Sequence, residues 1–328
     1  MDKRFTNNFD FLRFLAASCI IFSHSFALCL GYSNVFIFDW HLLIGQTGLA
    51  ILLVISGYLI LGSWERKPSL TTFFKKRILR IIPGLFASVL LVIFIIGPLV
   101  SDLGFSEYIA ALLNPSTWAS VPFYVNGTAL GLFTTNPVTY VNAPLWAVPF
   151  EFFLYAIVAL LGIAGLLSRK NSMIPFILLT VILWFLWYDN PALNKIRFAL
   201  YFFIGAHLYL NRDKIEFKFP AVLVLWIPVL LSYNTQFMFI FAYIAIPYTV
   251  LWFAKYPTKR LKKFGKYGDF SFGMFIYAYP VQQTIIHFLP DIEIPVMILL
   301  SFTAAIPLAV FSWYAIEKHA LSIKYKKN

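Results

Sequence analysis

The chain has 328 residues, 60% of them hydrophobic and only 12% charged, with a mean hydropathy of +0.78. Soluble domains carry about 25% charged residues, so this composition excludes an ordinary water-soluble core. The formal net charge of +12 raises nucleic acid as a partner, but the placement of the charges argues against it.

A membrane-crossing helix needs about 20 mostly apolar residues. Ten candidate stretches follow one another along the chain, at roughly 9–30, 42–62, 81–100, 144–167, 172–188, 196–211, 219–232, 236–254, 270–289 and 294–316. Several are short, and 219–254 can be divided differently. Of the 26 Lys and Arg, 23 fall in 1–4, 63–80, 168–171, 212–218, 255–266 and 317–328, which lie on one side of an alternating topology. Only Lys195 and Arg197 fall opposite, and Arg13 sits within a span. This is the positive-inside bias. It predicts an all-α, polytopic integral membrane helical bundle of about ten transmembrane helices with both termini cytoplasmic. The first stretch lacks a clear small-residue cleavage site and carries Arg13 and His24, so it reads as a retained span. One transmembrane domain over 1–328 is expected, with basic cytoplasmic loops at about 63–80 and 255–266. The longest connection, about 101–143, is expected to be external and to hold a short interfacial or re-entrant helix, as a lid or acceptor surface.

Ionisable residues within spans are costly and mark function or a structural pair. Asp10, Arg13, His24, Glu151, His207 and His287 are of this kind. Arg13 and His24 are eleven residues apart, which returns to within about 20° of one helix face, with a rise of about 16 Å. Asp10, one turn before Arg13, can pair with and orient its guanidinium. The topology puts Glu151 about 10 Å and His24 about 9 Å below the same face of the membrane. A carboxylate beside an imidazole would fix its tautomer and stabilise the imidazolium of a general base. His207 and His287 read as ordinary polar contacts. Cys19 and Cys29 lie on one helix, which indicates no disulfide framework, and no cluster has metal-ligand spacing.

The stretch TTFFKKRILRIIP, 71–83, is the densest basic feature beside the membrane. Arg77 and Arg80 stand one helical turn apart, with Lys75 and Lys76 just before them. Such a group serves as a topology determinant, an anionic-lipid contact or a grip on phosphate. In GQTGLAILLVISGYLI the small residues, Ser56 and Gly57 among them, permit close helix approach or passage of a ligand, with packing the better reading.

Taken in order, these motifs resemble the membrane acyltransferase-3 family of acyl-CoA-dependent O-acyltransferases acting on bacterial glycans. FDFLRFLAASCIIFSH resembles its opening Asp-x-x-Arg and Arg-x10-His. GLAILLVISGYLI resembles its second-helix Ser-Gly stretch. FFKKRILRIIP matches Phe-Phe-x-x-Arg-x-x-Arg-Ile-x-Pro, and APLWAVPFEFFLY resembles the Leu-Trp…Glu…Tyr helix. GDFSFGMFIYAYPVQQ and WYAIEKHAL resemble two late motifs. The chain departs from the pattern at Ala278, where many members have His, and at His319, where they have Pro.

The resemblance implies an acyltransferase of the bacterial inner membrane, with acetyl-CoA or another acyl-CoA as co-substrate and no tightly bound cofactor. Arg77, Arg80, Lys75 and Lys76 would meet the nucleotide phosphates, and Arg13 would bind or orient the donor. His24, backed by Glu151, would act as general base or transient acyl carrier toward a hydroxyl of a carbohydrate or lipid-linked glycan. Trp146 and Tyr155 would suit a sugar face, and Asn142 stands with them as a candidate substrate contact. Membrane lipids are the remaining expected partner, and nucleic acid is not one. The competing class is a transporter or flippase of a glycolipid or small polar solute, which would use the same buried polar groups as a path.

Overall fold

The computed structural model describes residues 7–31, 39–115, 130–187, 190, 193–256, 258 and 261–323. Among them the structure is helical, with an isolated β-bridge between Ser101 and Leu132. In chain order the principal helices are α1 (Phe9–Leu30), α2 (Trp40–Arg66), α3 (Leu70–Val100) and α4 (Phe105–Leu113). They are followed by α5 (Ala143–Ile163), α6 (Ile174–Leu186), α7 (Ala199–Leu210) and α8 (Phe219–Leu231). The last three are α9 (Phe237–Lys255), α10 (Ser271–Phe288) and α11 (Ile294–Ser322).

Each of the ten expected spans contains a helix, but among the described residues only six are long and apolar enough to cross a membrane: α1, α2, α3, α5, α9 and α11. α6 and α8 are apolar but have 13 residues each. The 196–211 stretch divides into a 3-10 run and a helix of 12 residues. α10 has 18 residues but dilutes its apolar character with tyrosines, glutamines and a histidine. The surface confirms the solvent. Phe94, Ile95 and Leu99 of α3, Leu178, Ile182 and Phe185 of α6, Leu223 and Leu230 of α8, and Leu299 and Phe311 of α11 are all more than half exposed. Rows of bare apolar side chains on helices whose backbone bonds are internally satisfied belong in lipid. The protein is a membrane protein.

The helices form two compact units that interleave along the chain. One comprises Met1–Ala16, Gln46–Phe73 and Phe153–Tyr267; the other comprises Ala17–Gly45, Phe74–Phe152 and Gly268–Asn328. The boundaries fall inside α1, α2, α3 and α5, so each of these contributes to both.

In the first unit, α2 and α7 cross at van der Waals range. A Cβ on Gly57 would overlap the Phe202 carbonyl oxygen, and one on Gly205 would overlap that of Val54. The two glycines answer each other across the crossing, which is the packing role expected of the small residues in α2. Asn8, fully buried, donates Nδ2 to the carbonyls of Phe253 (2.9 Å) and Tyr256 (2.7 Å), satisfying orphan acceptors at the end of α9.

In the second unit, the 130–142 segment packs its apolar side chains against helices. Leu130, Leu132, Phe133 and Val141 are buried against Val89, Val92, Ile93 and Ile96 of α3 and against Tyr108 of α4. Gln283 of α10 donates to the carbonyls of Val138 and Tyr140, and Asn136 Nδ2 donates to Gln283 Oε1 at 2.8 Å. The expected short helix within 101–143 is α4. The stretch 116–129 lies outside the described residues. α3 carries a π-bulge at Val92–Ile96, where the Ile93 carbonyl accepts from Tyr108 Oη at 2.6 Å. Burial pushes the Tyr108 phenol up to about 12, keeping it protonated as that donor.

Candidate active site

His24 lies in the second unit on α1, within a run of apolar side chains. Its ring meets the fully buried ring of Tyr279 edge-on, with centroids 5.1 Å apart at 87°. Among the described residues it makes no hydrogen bond, so its nitrogens are uncommitted. The turn that carries it is locked from α10. Gln282 Nε2 donates to the Ile21 carbonyl and to Ser25 Oγ, each at 2.9 Å, and Ser25 Oγ in turn donates to Ile21 at 3.0 Å. A free imidazole on a fixed backbone turn is the condition for a group that must meet a substrate without reorganising.

Glu151 belongs to the same unit and is half-buried near the start of α5. Among the described residues no hydrogen bond or ion pair joins it to His24. Arg13, three turns from His24 along α1, is half-buried and pairs with Asp10 through Nη1–Oδ1 at 2.8 Å. This is the orienting pair that the spacing predicts.

The basic group at the start of α3 varies in exposure. Lys75 is exposed, and Lys76 and Arg77 are half-buried. Arg80 is engaged: Nη2 donates to Asp269 Oδ2 at 2.5 Å, Nη1 stands 3.7 Å from Glu317 Oε2, and the guanidinium lies 5.7 Å from the Trp313 ring centroid. Ser312 Oγ donates to Glu317 Oε1 at 3.0 Å and lies 3.2 Å from Tyr277 Oη. A π-bulge at Trp313–Glu317 carries both Trp313 and Glu317 to this cluster, and Glu317 is only 1% exposed. Bulges of this sort collect at functional sites because they redirect side chains without ending the helix.

Asn142 is buried, and its Nδ2 donates to the Ile276 carbonyl at 2.9 Å, as does Ser88 Oγ. The reason lies in α10. Pro280 has no N–H to return to residue 276, so that carbonyl needs donors from outside its helix. Trp146 packs on Phe150 with centroids 5.6 Å apart. Tyr155 belongs to the first unit, where its hydroxyl lies 3.1 Å from Ser56 Oγ and its ring meets Phe73 edge-on. The second unit thus contains His24, Glu151, Asn142, Trp146 and the basic start of α3, while Arg13, Asp10, Ser56, Gly57 and Tyr155 belong to the first.

Gln282, Tyr279, Asp269 and Glu317 escaped the sequence reading. The search for ionisable residues within spans passes over an amide such as Gln282. Glu317 sits beside Lys318 and His319, which reads as the start of a cytoplasmic tail. The neighbourhood of both was nevertheless marked by the two late motifs.

A model of the acyltransferase-3 domain matches residues 6–318, so the chain belongs to that family and is an acyltransferase. It is 28% identical to an O-acetyl transferase of Shigella phage Sf6, covering 97% of this chain and 96% of that protein. It is also 44% identical to Nodulation protein 10 of Rhizobium leguminosarum bv. viciae over 86 residues, which is 25% of this chain and 23% of the relative. No solved structure matches.

Proposed function

We propose that the protein is an O-acetyltransferase of a bacterial inner membrane. It moves an acetyl group from cytoplasmic acetyl-CoA to a hydroxyl of a cell-envelope or exported carbohydrate. The observation that carries the reading is His24, an imidazole with no hydrogen-bond partner among the described residues, on a turn held by Gln282, in a chain matched along its length by an acyltransferase model. The phage relative, similar from end to end, supports acetyl as the group and oxygen as the acceptor atom.

In this reading the donor's nucleotide phosphates are taken by Lys75, Lys76 and Arg77 with Arg80, and Arg13 orients the donor along α1. His24 removes the acceptor hydroxyl proton as the oxygen attacks the thioester carbonyl. The tetrahedral intermediate collapses, and the CoA thiolate leaves and recovers the proton from the imidazolium, which Glu151 stabilises. If His24 carries the acetyl group itself, attack and release occur twice and the net reaction is the same. The purified protein with labelled acetyl-CoA and extracted envelope glycan tests this. Wild type should yield acetylated glycan and free CoA. His24→Ala should keep its helical content and lose at least about 100-fold in turnover. Full activity in that variant would overturn the assignment.

A further inference from the structure

Arg197 is a buried cation with too little around it. It stands in the first unit, in the 3-10 run Asn194–Phe198 that leads into α7, and only 7% of it is exposed. Nη2 donates to Gln46 Oε1 at 3.1 Å, and the guanidinium sits between the rings of Phe198 and Phe239, with centroids 5.1 and 4.9 Å away. Nη1 is fully enclosed and has no hydrogen-bond partner, and among the described residues no carboxylate lies within ion-pair range.

A guanidinium cannot shed its proton to escape burial. One amide and two ring faces return less than its dehydration costs, since buried charges persist when paired and fully hydrogen-bonded. The sequence sharpens the anomaly. Arg197 and Lys195 are, with Arg13, the three cations outside the basic segments of the chain, and Lys195 stands exposed two residues earlier on the same run.

We infer that Arg197 is one half of a phosphate-binding site. Its Nη1 takes a phosphate oxygen at the entrance to α7 after a small shift of the Phe239 or Phe198 ring, and Lys195 attracts the anion from the rim. The phosphate comes from a membrane-lipid headgroup or from a free or sugar-linked phosphate. None of its residues is among those assigned to acyl transfer, and it does not rest on the acetyltransferase reading.

The full-length protein in nanodiscs tests it. Wild type in pure phosphatidylcholine should gain thermal stability when phosphatidylglycerol is included or when inorganic pyrophosphate is added. Arg197→Met should abolish that gain and weaken pyrophosphate binding by more than tenfold. In anion-free nanodiscs it should melt no lower than wild type, because an unpaired charge has been replaced by an apolar chain of similar length. Arg197→Lys should keep part of the gain, and Gln46→Leu should keep all of it. These two decide the matter if the methionine variant does not fold. A gain with phosphatidylglycerol alone assigns the headgroup, whereas a gain with pyrophosphate assigns a free or sugar-linked phosphate. Equal anion responses in wild type and every Arg197 variant would overturn the site.

Discussion

At the residue scale, the side chains around His24 and Arg80 divide by what each can do alone. Gln282 fixes the turn that bears His24 through two donated hydrogen bonds. It touches no reacting atom in the proposed chemistry, so it is a positioning residue. Gln282→Leu should lower kcat by about tenfold through misplacement of the imidazole and leave the donor KM nearly unchanged. Steady-state kinetics separates the two, and an unchanged kcat would refute the positioning role. The Arg80 cluster makes a different prediction. Removing one partner of a buried pair strands the other, at a cost of about 3–5 kcal/mol. Glu317→Gln keeps the shape and one acceptor while removing the charge, so it should cost about 1–3 kcal/mol in a thermal or denaturant melt. Arg80→Ala should destabilise as well as weaken donor binding, whereas Arg77→Ala should act mainly on the donor KM. Equal melting temperatures for Arg80→Ala and wild type would show that the cluster contributes nothing to the fold.

At the scale of the element, helix interruptions decide where polar groups go. The bulge in α11 delivers Trp313 and Glu317 to Arg80. Pro280 in α10 releases the Ile276 carbonyl to Ser88 and Asn142. The crossing of α2 and α7 depends on bare backbone at Gly57 and Gly205. Gly57→Ala should force the helices apart and lower stability by about 1–3 kcal/mol, the usual cost of overpacking. Circular dichroism melts in detergent measure it, and Gly57→Ala with Gly205→Ala should cost less than the sum of the two, because one separation relieves both overlaps. Fully additive losses would mean that the glycines act independently.

At the scale of the whole molecule, the exposed apolar rows fix the solvent as lipid, and the charge bias makes a claim about sidedness. Reporter fusions at the two ends should both report the cytoplasm, and a cysteine placed at 107 on α4 should be labelled from the opposite side. Termini on opposite sides would break the proposed topology and, with it, the approach of donor and acceptor from different faces.

The sequence by itself determined a helical membrane protein, the Asp10–Arg13 pair, the alignment of Arg13 with His24 and the small residues that let α2 approach a neighbour. All of these depend on short-range periodicity and on composition, which a linear chain displays directly. Only the tertiary structure decided that Gln282 and Tyr279 flank His24 and that Asp269 and Glu317 engage Arg80. The tertiary structure also decided that 130–142 packs inward and that Arg197 is buried with a nitrogen unsatisfied. Those facts join residues that are distant along the chain, through a bulge, a proline and a helix crossing. Their partners are fixed by packing, which no local pattern encodes.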